Sequence, residues 1–285
     1  MMNQLKSILL LGVLTALLVG LGGFFAPKAL PIFLILALLM NLGAWFFSDK
    51  MVLKMSGAQP VAEGQLPGVR RMVDDLARAA GIPTPRLYIV PSPQPNAFAT
   101  GRNPEHGVIC VTEGILKMLD ERELKGVLAH EMSHIKNRDI LVASIAAAIA
   151  SAITYLSHIG LFFGGGRNDR EGGGAGTLVM AIIAPIAATL VQLGISRQRE
   201  YLADETGAFL TGEPLALASA LQKLQAFSQR VPLQTAPATA SLFIVNPFGG
   251  MKSFLNLFST HPPLEERIRR LQAMASELRG VVPQS

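Results

Sequence analysis

The chain has 285 residues, of which 50% are hydrophobic and only 16% charged, with a mean hydropathy of +0.38. An ordinary soluble domain carries roughly a quarter charged residues, so intrinsic disorder, a collagen-like fibre and a polar nucleic-acid-binding tail are excluded. The single cysteine, Cys110, forbids an intrachain disulfide and any Cys-x-x-Cys metal ribbon, and the net charge of +5 must be located before it is interpreted.

In chain order, the missing charge is concentrated in four long windows free of Asp, Glu, Lys and Arg. Each accommodates the roughly 20 apolar residues that cross a bilayer as a helix, which predicts spans at 7–26, 29–48, 140–163 and 177–196. The first also follows a lysine, as a cleaved signal would. Its apolar stretch exceeds a signal core, and a second span follows at once, so an uncleaved hairpin is the expectation. Nearly all Lys and Arg fall outside the two short turns between paired spans. The positive-inside rule therefore puts both termini and the polar blocks 49–139 and 197–285 in the cytoplasm, with 164–176 a periplasmic loop. Lysines and arginines beside the spans, facing a lipid bilayer, also account for the basic pI without nucleic acid. No charged residue lies well inside a span, which disfavours a transporter. His158, beside Tyr155, reads as an interfacial residue.

Within the first polar block, apolar residues at helical spacing predict a helix over 64–80, stopped by Gly81-Ile82-Pro83. Residues 86–90 and 107–112 alternate as strands, with 95–101 a short extended segment between them, so a small sheet of about three strands is expected. Cys110 is expected in its core, and His106 reads as a loop residue. Asp120 and Glu123 have capping-box spacing, which starts a helix at Glu121. No obvious breaker separates that helix from the third span, so it is expected to run almost straight into the membrane. In the second block the fourth span continues without Gly or Pro into residues 196–204, helical pattern resumes at 214–227, and Thr260-His261-Pro262-Pro263 precedes a charged terminal helix. The uncharged stretch 231–251 holds too many prolines and glycines for a span and reads as a long loop. The fold class is thus four transmembrane helices plus a cytoplasmic α+β domain with a small sheet.

The chemistry centres on His130-Glu131-Met132-Ser133-His134. On a helix, positions i and i+4 share a face, so two imidazoles converge on one metal ion and the intervening glutamate reaches a bound water as general base. Zinc suits two imidazoles and one carboxylate with a fourth position open. A third histidine at the metzincin spacing is absent, because Ile140 is there. The best third ligand is Glu200, in Glu200-Tyr201-Leu202-Ala203-Asp204. One turn on, Asp204 would accept a hydrogen bond from the far nitrogen of a ligand histidine. His134 lies just before span three and Glu200 just after span four, so neighbouring spans would bring them together. A membrane scaffold or chaperone-like protein with a structural zinc is the alternative, and it requires a saturated four-ligand site.

The segments 130–139, 196–204, 95–101 and 260–268 together resemble the HtpX family of bacterial membrane-bound zinc metalloproteases, relatives of the CAAX prenyl proteases. The resemblance spans nearly the whole chain. It implies a zincin-like domain holding one zinc ion at His130, His134 and Glu200, with Glu131 as catalytic base. It also implies an inner-membrane endopeptidase that removes misfolded or damaged membrane proteins and unfolded polypeptides under stress. By the same resemblance, Asn96, Ala97, Phe98 and Ala99 correspond to the edge strand that aligns a substrate backbone, as unpaired edge groups can. His261 and Arg267 correspond to positions where either would stabilise an oxyanion, or His261 would close the metal's open position.

Overall fold

The computed structural model describes residues 12, 15, 16, 19, 27–145, 197–230 and 262–280. Among them, helix α1 (Leu30–Met55) is followed by strand β1 (Gln59–Pro60), helix α2 (Pro67–Ala80) and strands β2 (Arg86–Val90), β3 (Ala97–Thr100) and β4 (Val108–Thr112). Helices α3 (Glu113–Met118), α4 (Glu121–Lys136), α5 (Arg197–Thr211), α6 (Pro214–Arg230) and α7 (Leu264–Gly280) complete the order.

Local chemistry sets the ends of these elements. Gly81, at φ 70°, adopts the left-handed conformation and donates to the carbonyls of Ala77 and Arg78, closing α2. The capping box of α4 is complete. The Glu123 amide donates to Asp120 at 2.9 Å, and the Asp120 amide donates to the Glu123 carboxylate at 3.0 Å. Pro104–His106 forms a short 3-10 turn, where the His106 ring meets Asn103 and Arg102.

The sheet has four strands in the order β1-β2-β4-β3, with β2 and β4 parallel and both edges antiparallel. The additional strand, Gln59–Pro60, is too short to leave a period in the sequence. Side chains alternate between two apolar clusters, as the two-residue period of a strand demands. Leu87, Ala97, Ala99, Ile109 and Val111 face α2 and α4, where Val73, Leu76, Val127, Leu128 and Met132 are buried. Val90, Phe98, Val108 and Cys110 face the other way, against Val52 and Leu53 of α1. A fully buried Leu contributes roughly 1.5–3 kcal/mol, so these layers hold α4 rigidly on the sheet. Cys110 is fully buried in the second layer.

Helix α4 does not run straight on. It ends at Lys136, Arg138 takes φ 59°, and helix resumes only at Ile140. The turn is closed by amides of Arg138 and Asp139 donating to Ile135 and His134 carbonyls. The predicted span 29–48 falls within α1, which continues to Met55 and bends by 71° between its Leu30–Gly43 and Phe46–Met55 halves. Among the described residues no single helix is long and apolar enough to cross a membrane, although the two halves of this bent helix together have the length and composition. The span 7–26 is described only at isolated positions and 140–163 only at its start. Span 177–196, the loops 164–176 and 231–251, and His261 lie outside the described residues.

Candidate functional site

Helices α4 and α5 pack face to face. The buried stripe of α5 is Glu200, Ala203, Asp204, Gly207 and Ala208, whose small members let the two backbones approach. A Cβ on Gly207 would lie 2.9 Å from the His130 amide nitrogen. This close crossing carries Glu200 to the histidines of α4.

The structure brings His130, His134 and Glu200 together, with one ligand atom of each within 4.8 Å of the others. His130 Nε2 and His134 Nε2 are 3.2 Å apart, and Glu200 oxygens lie 3.7 Å from the first and 3.5 Å from the second. A tetrahedral ion with bonds near 2.0–2.1 Å separates its ligands by about 3.3 Å, so these three groups fit zinc. The far nitrogens are held by carboxylates. His130 Nδ1 is 2.9 Å from Asp204 and His134 Nδ1 is 3.2 Å from Asp139. Each partner favours the proton on Nδ1 and leaves the Nε2 lone pair turned toward the centre.

Burial governs the electrostatics. It disfavours a charge on His130 and lowers its pKa, although Asp204 opposes this. At His134 burial acts in the same direction, but Asp139, Glu200 and Glu131 overcome it and the pKa rises to about 9. Glu131, only 5% exposed, is pushed up to about 7, chiefly by burial. That places its carboxyl in the range useful for moving protons at neutral pH. The Ala99 backbone amide faces the Glu131 carboxylate and opposes that rise.

Arg267, given an oxyanion role by the resemblance, lies beside Asp204 and Glu200. Its guanidinium is fully buried, donates to both oxygens of Asp204 at 2.7 Å, and lies 3.7 Å from Glu200. The fork is thus turned onto the carboxylates behind the histidines, because a buried cation needs such compensation. Burial would lower its pKa, but Asp204 and Glu200 raise it above the ordinary value. Asp204 is held below the usual carboxylate range despite burial, by Arg267 and His130. The strand Ala97–Thr100 does lie at the sheet edge, pairing with β4, but all four residues and Asn96 are buried, and the Ala99 amide faces Glu131.

One residue of the site escaped the sequence reading. Asp139 reaches both His134 and, at 3.3 Å, Arg199, the neighbour of Glu200. On an uninterrupted helix a residue five positions after His134 would point about 140° away from it. The turn at Arg138 is what brings it back. The signal was present as an acid shortly after the second histidine, but only the break gives it meaning.

A His-Glu-x-x-His pair on one helix, completed by a glutamate of a second, defines the class of HExxH metallopeptidases. The model of peptidase family M48 matches residues 64–275, and the chain belongs to that family of metalloproteases. It is 53% identical over 281 residues to the protease HtpX homolog of Pelotomaculum thermopropionicum, covering 96% of this chain and all of that one. It is also 53% identical over 280 residues to the protease HtpX homolog of Pyrococcus furiosus, covering 96% of each. Among solved structures, S. mikatae Ste24p matches with a TM-score of 0.50 and 18% identity, over 95% of this chain and 65% of that one, a likeness of fold alone.

Proposed function

We propose that the chain is a zinc-dependent endopeptidase of the bacterial inner membrane that cleaves misfolded or damaged membrane proteins on the cytoplasmic side. The carrying observation is the spacing of His130, His134 and Glu200, which matches a tetrahedral ligand triangle with Glu131 on the same turn as the histidines. His130, His134 and Glu200 would hold the ion, and a zinc ion there would supply Lewis acidity toward a peptide carbonyl and an attacking water. Glu131 takes the proton of the attacking water and returns it to the departing amine nitrogen. Asp204 and Asp139 fix the two imidazoles, and Arg267 acts through Asp204 as a positioning residue. Among the described residues three protein ligands converge, and a fourth position left for substrate is what distinguishes catalysis from a structural, saturated zinc.

The membrane part of the proposal rests on the four uncharged windows and on the apolar, exposed first half of α1. It keeps four spans, with both termini and the polar blocks 49–139 and 197–285 cytoplasmic. Residues 96–99 keep the role of the strand along which substrate aligns. The decisive experiment replaces Glu131 by Gln in the full chain. Zinc content is expected to stay at one per chain while cleavage of an unfolded membrane-protein substrate disappears, and persistent cleavage would refute the assignment.

A further inference from the structure

The two halves of α1 differ in what they present. In Leu30–Gly43 large apolar side chains are exposed along its length, including Leu30, Ile32, Leu34, Ile35, Leu38 and Leu39. After the bend, Phe46–Met55 is two-faced. Ser48, Asp49, Val52 and Leu53 are buried, whereas Phe46, Phe47, Lys50, Met51, Lys54 and Met55 are exposed. The exposed set forms two parallel i, i+4, i+8 rows, which is one continuous stripe of a helix.

The buried face is fastened to the sheet. Val52 and Leu53 pack on Val90, Phe98, Val108 and Cys110, and Asp49 meets Arg86 at 3.7 Å. The exposed stripe mixes aromatic and methionine side chains with cations and carries no acid. The Lys50 ammonium lies 5.5 Å from the Phe47 ring centre. Arg102, from the loop after β3, lies 5.9 Å from that of Phe46. Apolar side chains interleaved with lysines on one helical face suit the boundary between acyl chains and headgroups, and the positive charge is complementary to anionic lipid. The stripe is also continuous with the apolar half that precedes it.

We propose that the Phe46–Met55 half of α1 is an interfacial helix that seats the sheet on anionic lipid headgroups. It rests on the membrane reading given above, with the second span ending at the bend and not at residue 48, and goes beyond it, since a chain can be anchored without this surface touching lipid. Phe98 packs in the same cluster as Val52 and Leu53, and its neighbour Ala99 faces Glu131. Seating the helix therefore sets the height of the proposed substrate strand above the bilayer.

The test uses the full chain in vesicles of equal parts phosphatidylglycerol and phosphatidylcholine, or of phosphatidylcholine alone, each carrying a lipid-attached quencher. Cys110 is fully buried, so a fluorophore goes to introduced cysteines at Phe47→Cys, Met51→Cys or Leu38→Cys. All three labels are expected to be quenched in the anionic vesicles. Quenching at the first two should fall several-fold with Lys50→Glu plus Lys54→Glu or without phosphatidylglycerol, while the Leu38→Cys label stays quenched. Quenching at Leu38→Cys alone would overturn the interfacial helix and leave the membrane reading standing. So would crosslinking between Met51→Cys copies with no lipid quenching, which would make the stripe a contact between chains. Quenching at Met51→Cys that ignores both charge changes would overturn the recognition of anionic lipid. An aqueous Leu38→Cys label would remove the membrane reading itself.

Discussion

Gly207 of α5 sits directly over the His130 backbone of α4, and any side chain there would meet the His130 amide nitrogen at 2.9 Å. The contact partner is backbone, which cannot rotate aside. Gly207→Ala should therefore push α5 away, costing about 1–3 kcal/mol of stability and lowering zinc affinity together. Gly126, whose added Cβ would press on Leu217 of α6 instead, provides the contrast. Gly126→Ala should lower Tm in detergent but leave zinc affinity near that of the parent chain, and equal loss of zinc in both variants would contradict this account.

Asp139 and Asp204 each meet one histidine of the proposed metal site from behind. Removing such a partner typically weakens a metal site roughly 10–100-fold, because the imidazole loses its tautomer and orientation. Asp139→Ala is expected to show this in chelator competition, with Asp139→Asn recovering part of the affinity through its remaining acceptor oxygen. An Asp139→Ala protein with parental zinc affinity would reduce Asp139 to a partner of Arg199.

Arg267→Leu tests a buried pair. It would strand the Asp204 carboxylate, 3% exposed, without the cation it faces at 2.7 Å. Breaking such a pair from one side costs about 3–5 kcal/mol. Arg267→Lys should recover little, since an ammonium cannot supply two parallel bonds to one carboxylate. Thermal unfolding of the three proteins decides the matter, and a Tm unchanged in Arg267→Leu would be the contrary result.

Glu123 links the α4 cap to α6. Burial alone would raise its pKa, but Lys223 and Ser219, each at 2.7 Å, and the Asp120 amide hold it below the ordinary carboxylate value. A folded pKa below the unfolded one means that the carboxylate stabilises the fold above its unfolded pKa of about 4.3. That contribution is lost as pH falls through the folded value. Compared with Glu123→Gln, the parent chain should keep a constant Tm advantage from neutrality down to about pH 5. The advantage should then shrink at lower pH. A gap that stays constant through the acid range would show that the carboxylate charge is not what matters.

With His130, His134 and Glu200 converging in a buried site, a chelator should lower Tm and added zinc should restore it, since an ion that binds only the folded state stabilises it by mass action. Calorimetry on the Glu131→Gln protein separates this from catalysis, because its ligands are intact.

Much of this was legible in the sequence for a physical reason. A helix repeats every 3.6 residues, so His130 and His134 had to share a face, and Asp120 with Glu123 had to cap the turn that begins it. Strand alternation and the uncharged windows are equally local. What only the tertiary structure decided depends on distances between segments far apart in the chain. These are the approach of α5 permitted by Gly207, the turn at Arg138 that returns Asp139 to His134, and the burial that turns Arg267 onto Asp204. The bend that gives α1 a sheet-facing half belongs with them, because its two-faced character appears only once Val52 and Leu53 have a sheet to cover. Periodicity specifies which residues share a face, while packing against the rest of the chain decides what that face meets.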